Sequence, residues 1–365
     1  MQIPFLDLKR QYLSIKQELD TAISEIISSQ RFILGNEVEQ FEKEIANYLN
    51  VKHAIGVASG TDALFLSLKA LGIKQGDKVI TTPFTFIATA EVIANLGAIP
   101  VFVDIDPHTF NISADNLKHT LEKEANIKAI IPVHLFGQPA EIEDIIEIAN
   151  GIPVIEDCAQ SIGAEYNGRK TGTFGELGCF SFFPAKNLGC FGDGGLITTN
   201  STGLYNKIRL LRNHGSSPED KYKNMIIGHS SRLDALQARV LRIKLKHLDN
   251  WNNKRILNAD YYDNMLQIKA PFKHPKAKHV YNQYTLRVQN RSQLRAKLKE
   301  IGIPTMVYYP LPLHLQPCFD HLNHKQGDFP EAEKACEEVL SIPIFPELKT
   351  EENEYIAKNL NELSK

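Results

Sequence analysis

Short runs rich in Val and Ile alternate with longer helical patterns over residues 55–200, and this alternation constrains the fold most strongly. The apolar runs are too short to span anything but a sheet. The segments between them place apolar residues three and four positions apart, which is the period of an amphipathic helix. Because strands and helices that alternate in this way build largely parallel sheets covered by helices, the sequence predicts an α/β fold.

The pattern gives bounds for the elements and the domains. The predicted strands cover residues 78–81, 100–104, 127–132, 152–156, 178–182 and 195–198, and the predicted helices cover residues 61–71, 85–96, 140–149 and 204–212. Residues 232–255 predict one long amphipathic helix that bridges two domains. A candidate strand at 281–288, a helix at 291–301 and a last helix from about Thr350 follow. We expect a large domain over residues 1–248, with an N-terminal helical segment, and a smaller α+β domain over residues 249–365.

Charge and cysteine usage exclude several classes of protein. Lys and Arg total 41 against 43 Asp and Glu, so we expect neither nucleic acid nor a membrane as partner. The five cysteines stand singly, which argues against a zinc site or a disulfide framework, and we expect no metal. Asp7, Lys9 and Arg10 lie where a signal peptide would be apolar, and no apolar run is long enough to span a membrane. We therefore expect a soluble cytoplasmic protein.

Ser59-Gly60-Thr61 follows a short apolar stretch and opens a helical pattern. Free backbone N–H groups at the start of a helix attract anions, so this segment could hold a phosphate. Ser-Gly-Thr is also an ordinary N-cap sequence, and the segment alone does not decide between the two interpretations.

Asp157 follows the predicted strand at 152–156, which places it at the carboxyl end of a parallel strand, where ligands of open α/β sheets bind. A carboxylate there can keep a heterocyclic nitrogen protonated. The alternative is an Asp that caps the next helix.

Lys186 lies in a largely apolar segment between a strand and the glycine-rich turn Gly192-Asp193-Gly194-Gly195. If the segment buries it, its pKa falls and its amine can attack carbonyls to form Schiff bases. The alternative is a surface Lys in a loop. The glycines match neither the dinucleotide-binding nor the P-loop pattern, so neither of those folds is supported.

Together, and in this order and spacing, the three segments resemble the pyridoxal 5'-phosphate (PLP) dependent sugar aminotransferases of the DegT/DnrJ/StrS family. The resemblance covers nearly the whole chain. It includes Pro83-Phe-Thr-Phe-Ile-Ala-Thr, Glu156-Asp-Cys-Ala-Gln, Ser231-Arg-Leu-Asp-Ala-Leu-Gln-Ala and Tyr308-Tyr-Pro-Leu-Pro-Leu-His-Leu-Gln. It implies a fold-type I aminotransferase, with a mixed seven-stranded sheet in the large domain and a smaller α+β C-terminal domain. It also implies a homodimer with shared active sites.

The resemblance assigns four residues around the cofactor ring. It implies that Lys186 forms the Schiff base with PLP and that Asp157 pairs with the pyridinium nitrogen. It also implies that Gln160 approaches the ring oxygen and that Phe86 stacks on the ring.

Other matching residues are implied at the cofactor phosphate. Gly60, Thr61 and Ser181 match phosphate-binding positions of the family. Ser230 stands where the family has an Asn that reaches the phosphate from the neighbouring subunit. A Ser can still donate a hydrogen bond, so we expect a rearranged phosphate site.

The implied reaction moves an amino group from L-glutamate to a nucleotide-linked ketosugar, with UDP and dTDP both open. Gly192-Asp-Gly-Gly195 is similar to the branch that acts on 3-keto sugars, and residues 182–195 resemble the enzymes that aminate UDP-linked 3-keto N-acetyl sugars, so we expect amination at C3. The family resemblance also implies a role in surface glycan (lipopolysaccharide) synthesis. The residues that match substrate contacts are Arg232, Tyr308, which replaces a His, and Tyr309.

Other functions stay open as alternatives. These are a C4-keto aminotransferase and a non-catalytic regulator that binds PLP or a sugar nucleotide. A dehydratase of the same fold is disfavoured, because family dehydratases replace the Schiff-base Lys with His. His134 and His314 are interpreted as structural hydrogen-bonding residues.

Overall fold

The computed structural model describes residues 1–217 and 219–364. The strands are β1 (His53–Val57), β2 (Lys78–Thr81), β3 (Ile99–Phe102), β4 (Ile127–Ile130), β5 (Ile155–Asp157), β6 (Glu165–Tyr166), β7 (Arg169–Lys170), β8 (Leu177–Ser181), β9 (Gly195–Thr199), β10 (Ala277–Lys278), β11 (Tyr284–Arg287) and β12 (Val339–Ile342). Short 3-10 helices lie at Leu135–Gly137, Leu313–Leu315 and Pro317–Leu322.

The α-helices lie between these strands and at both ends of the chain. They are α1 (Leu8–Ser14), α2 (Lys16–Ser29), α3 (Asn36–Leu49), α4 (Gly60–Leu71), α5 (Ala88–Asn95), α6 (Ala114–Lys123), α7 (Ile142–Ala149), α8 (Thr202–Leu211), α9 (Ala235–Leu245), α10 (Leu248–Met265), α11 (Arg291–Glu300), α12 (Pro330–Glu338) and α13 (Thr350–Leu363). The predicted α/β class is confirmed. None of the helices within the described ranges has the length and apolar composition needed to cross a bilayer.

The central strands form two neighbouring sheets. One has the order β1-β9-β8-β5 and the other β3-β2-β4. Pairing is parallel between β5 and β8 and on both sides of β2, but antiparallel on both sides of β9, so the arrangement is mixed.

The expectation of one seven-stranded sheet is not confirmed, because β4 and β5 are joined only by isolated parallel bridges. Pro132 and Pro153 lie at this junction. Their carbonyls accept hydrogen bonds from Asp157 N–H and Ile130 N–H. Proline has no N–H to donate in return, which interrupts the ladder. Asp157 nevertheless stands at the carboxyl end of a strand paired in parallel with β8.

The prediction of one long helix over residues 232–255 is wrong. The segment forms α9 and α10, which are separated at Lys246 and His247. The N–H groups of these two residues bond to the carbonyls of Ile243 and Lys244, three residues earlier, at 3.3 and 3.0 Å. This tighter turn ends the α-helical ladder. Apolar periodicity continues through it, so the sequence pattern did not reveal the break.

A separate hydrophobic core forms around α10, the antiparallel pair β11–β12, α11 and α13. Ile3 from the N-terminus is buried in this core, and its N–H donates to Gly302 O at 3.0 Å. The first residues of the chain therefore pack against its last third. The proposed boundary near residue 248 places α10 with this core.

Candidate active site

Asp157 ends β5 and is buried, with 5% of its surface exposed. Its two carboxylate oxygens accept hydrogen bonds from Thr89 Oγ1 at 2.9 Å and from Ala159 N–H at 3.1 Å. Desolvation raises the pKa of the Asp157 carboxyl, while the two hydrogen bonds and the charge of Lys186 act in the opposite direction. The result is a carboxylate of fixed orientation in a poorly solvated place.

Lys186 lies in the turn after β8, where its N–H donates to Phe183 O at 2.8 Å. Its side chain is half-buried. Desolvation lowers the pKa of its amine to about 8, and attraction to Asp157 opposes part of that change. The predicted low pKa of this Lys is therefore present, with its main cause in burial.

Gln160 and Tyr309 meet beside Asp157. The Gln160 side chain accepts a hydrogen bond from Phe136 N–H at 2.6 Å and donates one to Tyr309 Oη at 3.3 Å. The ring of Phe86 lies 6.2 Å from that of Tyr309, and 56% of its surface is exposed. An exposed aromatic next to buried polar groups is available to stack on a planar ligand.

Gly60 and Ser181 face each other at the start of α4. Ser59 caps this helix by accepting a hydrogen bond from Asp62 N–H at 3.0 Å. A Cβ on Gly60 would lie 2.7 Å from Ser181 Cβ, so only glycine allows the close approach. The first N–H groups of a helix lack intrahelical acceptors, so Gly60 and Thr61 here offer donors beside the Ser181 hydroxyl. This donor set fits the phosphate of PLP, as Lys186 and Asp157 fit its ring.

Ser230 and Arg232 contact each other near the start of α4. Arg232 Nη2 donates to Ser230 Oγ at 3.2 Å, and its Nη1 donates to Asn213 Oδ1 at 2.9 Å. Ser231 Oγ accepts a hydrogen bond from Ala58 N–H at 3.2 Å, which places the segment next to the Ser59 turn. The phosphate and substrate roles assigned to these residues stay predictions.

Tyr308 is the other predicted substrate residue. Its ring is half-buried, 6.4 Å from the ring of Phe5 and 5.9 Å from that of Tyr309. Of the three predicted substrate residues, Tyr309 is the one that hydrogen-bonds to Gln160, a predicted ring-binding residue.

Sequence reasoning missed Glu156, which is fully buried next to Asp157. Its carboxylate accepts hydrogen bonds from Gly172, Phe174 and Gly175 N–H at 2.7–2.9 Å. A fourth comes from His134 Nε2 at 3.0 Å, while His134 Nδ1 accepts Ala140 N–H. The sequence signal that could have revealed Glu156 is a carboxylate within the otherwise apolar strand that precedes Asp157.

His134 and Glu156 also form, with Cys158, the one group of metal-compatible spacing found in residues 1–217 and 219–364. The His134 and Glu156 atoms are already engaged in the hydrogen bonds just described. This supports the structural interpretation of His134.

The sequence profile of the DegT/DnrJ/EryC1/StrS aminotransferases matches residues 13–361. The chain belongs to this family. This aminotransferase is similar to a Geobacillus stearothermophilus protein named pleiotropic regulatory protein, with 49% identity covering 99% of this chain and 98% of that protein. It is also similar to the UDP-N-acetyl-3-dehydro-alpha-D-glucosamine 3-aminotransferase of Acidithiobacillus ferrooxidans, with 43% identity covering 97% and 96% of the two chains. The crystal structure of S. venezuelae DesV superimposes with a TM-score of 0.96 at 39% identity, covering 100% and 99%.

The family membership confirms three predictions. The chain is an enzyme, it is an aminotransferase, and its cofactor is PLP. Several of its relatives are named as aminotransferases of UDP- or dTDP-linked sugars. The roles assigned to individual residues stay predictions.

Proposed function

We propose that this aminotransferase transfers the amino group of L-glutamate to the C3 keto group of a UDP- or dTDP-linked sugar. The observation that carries the transamination chemistry is the buried Asp157 carboxylate beside the low-pKa amine of Lys186. The glycine turn Gly192-Asp-Gly-Gly195 and the 3-aminotransferase among the relatives support the C3 position. The 3-amino sugar nucleotide would serve surface glycan synthesis in the cytoplasm.

Bound PLP supplies an electron sink for the carbanion that forms at the donor carbon. Asp157 holds a proton on the ring nitrogen through its negative charge, and Thr89 fixes the orientation of its carboxylate. Lys186 Nζ is the base, because its amine, with a pKa of about 8, can take the proton from Cα of the amino donor and would deliver it to C4′ of the cofactor. Gln160 and Phe86 orient the ring from its edge and its face.

The sugar nucleotide would bind between Tyr308 and Tyr309 of one subunit and the Arg232 that the other subunit contributes. A guanidinium can hold a carboxylate or a phosphate with two parallel hydrogen bonds, so Arg232 accommodates either a uronate or the diphosphate. Tyr308 and Tyr309 offer hydroxyls to the sugar ring.

We further propose a homodimer in which Ser230 and Arg232 complete the site of the partner subunit. Large apolar side chains just before them are exposed, at 82% for Tyr222 and 84% for Ile227. Exposed apolar residues grouped on one segment are typical of a surface that a partner covers.

The visible absorption spectrum of the PLP-loaded protein tests the first half of the reaction. L-Glutamate alone should convert the absorption band of the lysine-bound cofactor to that of the amine form. UDP- and dTDP-linked 3-keto and 4-keto sugars, added one at a time, should then restore the original band with the true acceptor. A band that glutamate leaves unchanged would contradict the donor, and recovery with 4-keto sugars alone would contradict C3.

A further inference from the structure

Asn187, the residue after Lys186, is buried at 4% exposure and is held by three hydrogen bonds to two separate segments, α10 and residues 280–282. Its Nδ2 donates to Asn252 Oδ1 at 2.7 Å and to Val280 O at 3.0 Å. Its Oδ1 accepts a hydrogen bond from Asn282 Nδ2 at 2.8 Å. Both amide hydrogens are used, so the side chain can adopt one orientation only.

Asn252 on α10 extends this arrangement to the segment that follows Asp157. Its Nδ2 donates to Ile162 O at 3.0 Å, and the residue is 1% exposed. Gly163 makes room for it, because a Cβ there would lie 2.5 Å from Asn252 Nδ2. Two amides therefore connect the backbone of the Lys186 turn to the backbone of the Asp157–Ile162 segment.

The Lys186 turn itself is not part of a helix or strand. It folds tightly, since a Cβ on Gly189 would lie 2.3 Å from Pro184 O. Its backbone hydrogen bonds, Lys186 N–H to Phe183 O and Cys190 N–H to Phe182 O, each at 2.8 Å, stay within residues 182–190 and do not attach the turn to the Asp157 segment. Buried amide bonds are directional, so they fix orientation in a way that apolar packing does not.

We propose that Asn187 is a positioning residue that sets Lys186 relative to Asp157. Asn252 carries the link to the Asp157 segment, and Asn282 with Val280 ties the same turn to the chain just before β11. The reach of Lys186 Nζ toward the cofactor then depends on an amide that touches neither cofactor nor substrate. This proposal rests on the proposed function only for the kcat and KM measurements, since the dichroism of bound PLP and the Tm do not depend on which substrates react.

The test compares Asn187→Ala with Asn258→Ala in the PLP-loaded protein. Asn258 is a matched control on α10, where it donates to Phe345 O and accepts from Asn353, each at 2.9 Å. Both variants should lower Tm. Only Asn187→Ala should lose visible circular dichroism of bound PLP, which reports the orientation of the ring, and lower kcat by roughly tenfold with little change in KM.

A spectrum and kcat unchanged in Asn187→Ala, with Tm alone lowered, would overturn the proposal, as would an equal kcat loss in Asn258→Ala. If Asn187→Ala does not fold, Asn282→Ala removes one hydrogen bond to Asn187 and should weaken the same dichroism; a wild-type spectrum there would overturn the proposal. If the wild-type protein does not respond to glutamate but Asn187→Ala still loses the dichroism of bound PLP, the proposed donor is contradicted and the positioning role is supported.

Discussion

At the residue scale, the reactivity of the site depends on how far burial changes two side chains. An amine with a pKa of about 8 is neutral in about a tenth of the molecules at pH 7, against less than about one in a thousand for an ordinary Lys. The same environment raises the pKa of Asp157, and the positive charge of Lys186 limits that rise. Burial therefore keeps Lys186 usable as a base, while the charge of Lys186 helps to keep Asp157 ionised as a counter-ion.

The rate at which the cofactor-free protein captures PLP should follow the neutral fraction of Lys186. Because the pKa is lowered, that fraction increases as the pH rises through about 8 and is nearly complete above it. We expect the capture rate to increase from pH 6.5 and to level off near pH 9. Stopped-flow absorbance measures the rate of PLP capture. The same reaction with Nα-acetyl-lysine is the reference for the titration of PLP itself, and the Lys186→Ala protein is the blank. A rate that still rises up to pH 10.5 would show an ordinary Lys.

Asp157→Asn should reduce kcat by about 100-fold or more, because it removes the charge that keeps the ring nitrogen protonated. PLP affinity should change little, since an amide can still bond to Thr89 and to Ala159 N–H. Asp249→Asn is the control, as Asp249 accepts a hydrogen bond from Tyr48 Oη away from the site. Equal losses of affinity and kcat in Asp157→Asn would mean that Asp157 only holds the cofactor in place.

At the element scale, the sequence predicted the strands and helices that are determined by residues close together in the chain. The β-α alternation located β2, β5, β8 and α4 within three residues at each end. Apolar periodicity did not reveal the break before α10, and the family resemblance implied one continuous sheet where β4 and β5 are joined only by isolated bridges. Both features depend on particular backbone hydrogen bonds. The amide link from Asn187 to Asn252 was also invisible, since 65 residues separate its two ends.

The start of α4 gives a test of the phosphate site. Gly60→Ala would place a Cβ 2.7 Å from Ser181 Cβ, and relieving that clash moves the helix start away from the anion it should hold. We expect PLP affinity to fall about tenfold and stability by about 1 kcal/mol or more. Equilibrium titration with PLP and thermal unfolding measure the two effects.

Gly203→Ala is the matched control for that variant. Gly203 lies in the first turn of α8 after the Ser201 cap, and its Cβ would meet only Ser201 Oγ at 3.7 Å. Alanine there should stabilise the protein by about 0.5 kcal/mol and leave PLP binding unchanged. Unchanged PLP affinity in Gly60→Ala would place the phosphate elsewhere.

At the scale of the whole molecule, both ends of the chain close one core. Arg10 binds the Glu352 carboxylate through two hydrogen bonds of 2.7 Å, and Ile3 is buried beside β11 and α13. The segment that carries Ser230 and Arg232 has no such cover over Tyr222, Met225 and Ile227, which are all more than half exposed. The described residues of one chain therefore bury Asp157 and Gln160 at the ring site but leave the segment with Tyr222, Met225 and Ile227 open.

If the sites are shared across a dimer, Lys186 and Arg232 act from different subunits, and mixed dimers can separate them. Arg232→Ala and Lys186→Ala homodimers should both be inactive. A dimer of one subunit of each kind, purified through two different tags, contains one complete site and should have about half the wild-type activity. A dimer of wild type with the double variant should be inactive, because its only Lys186 faces the altered Arg232. Sites confined to single subunits would give the reverse result, with the first dimer inactive and the second half active, and would overturn the shared-site proposal.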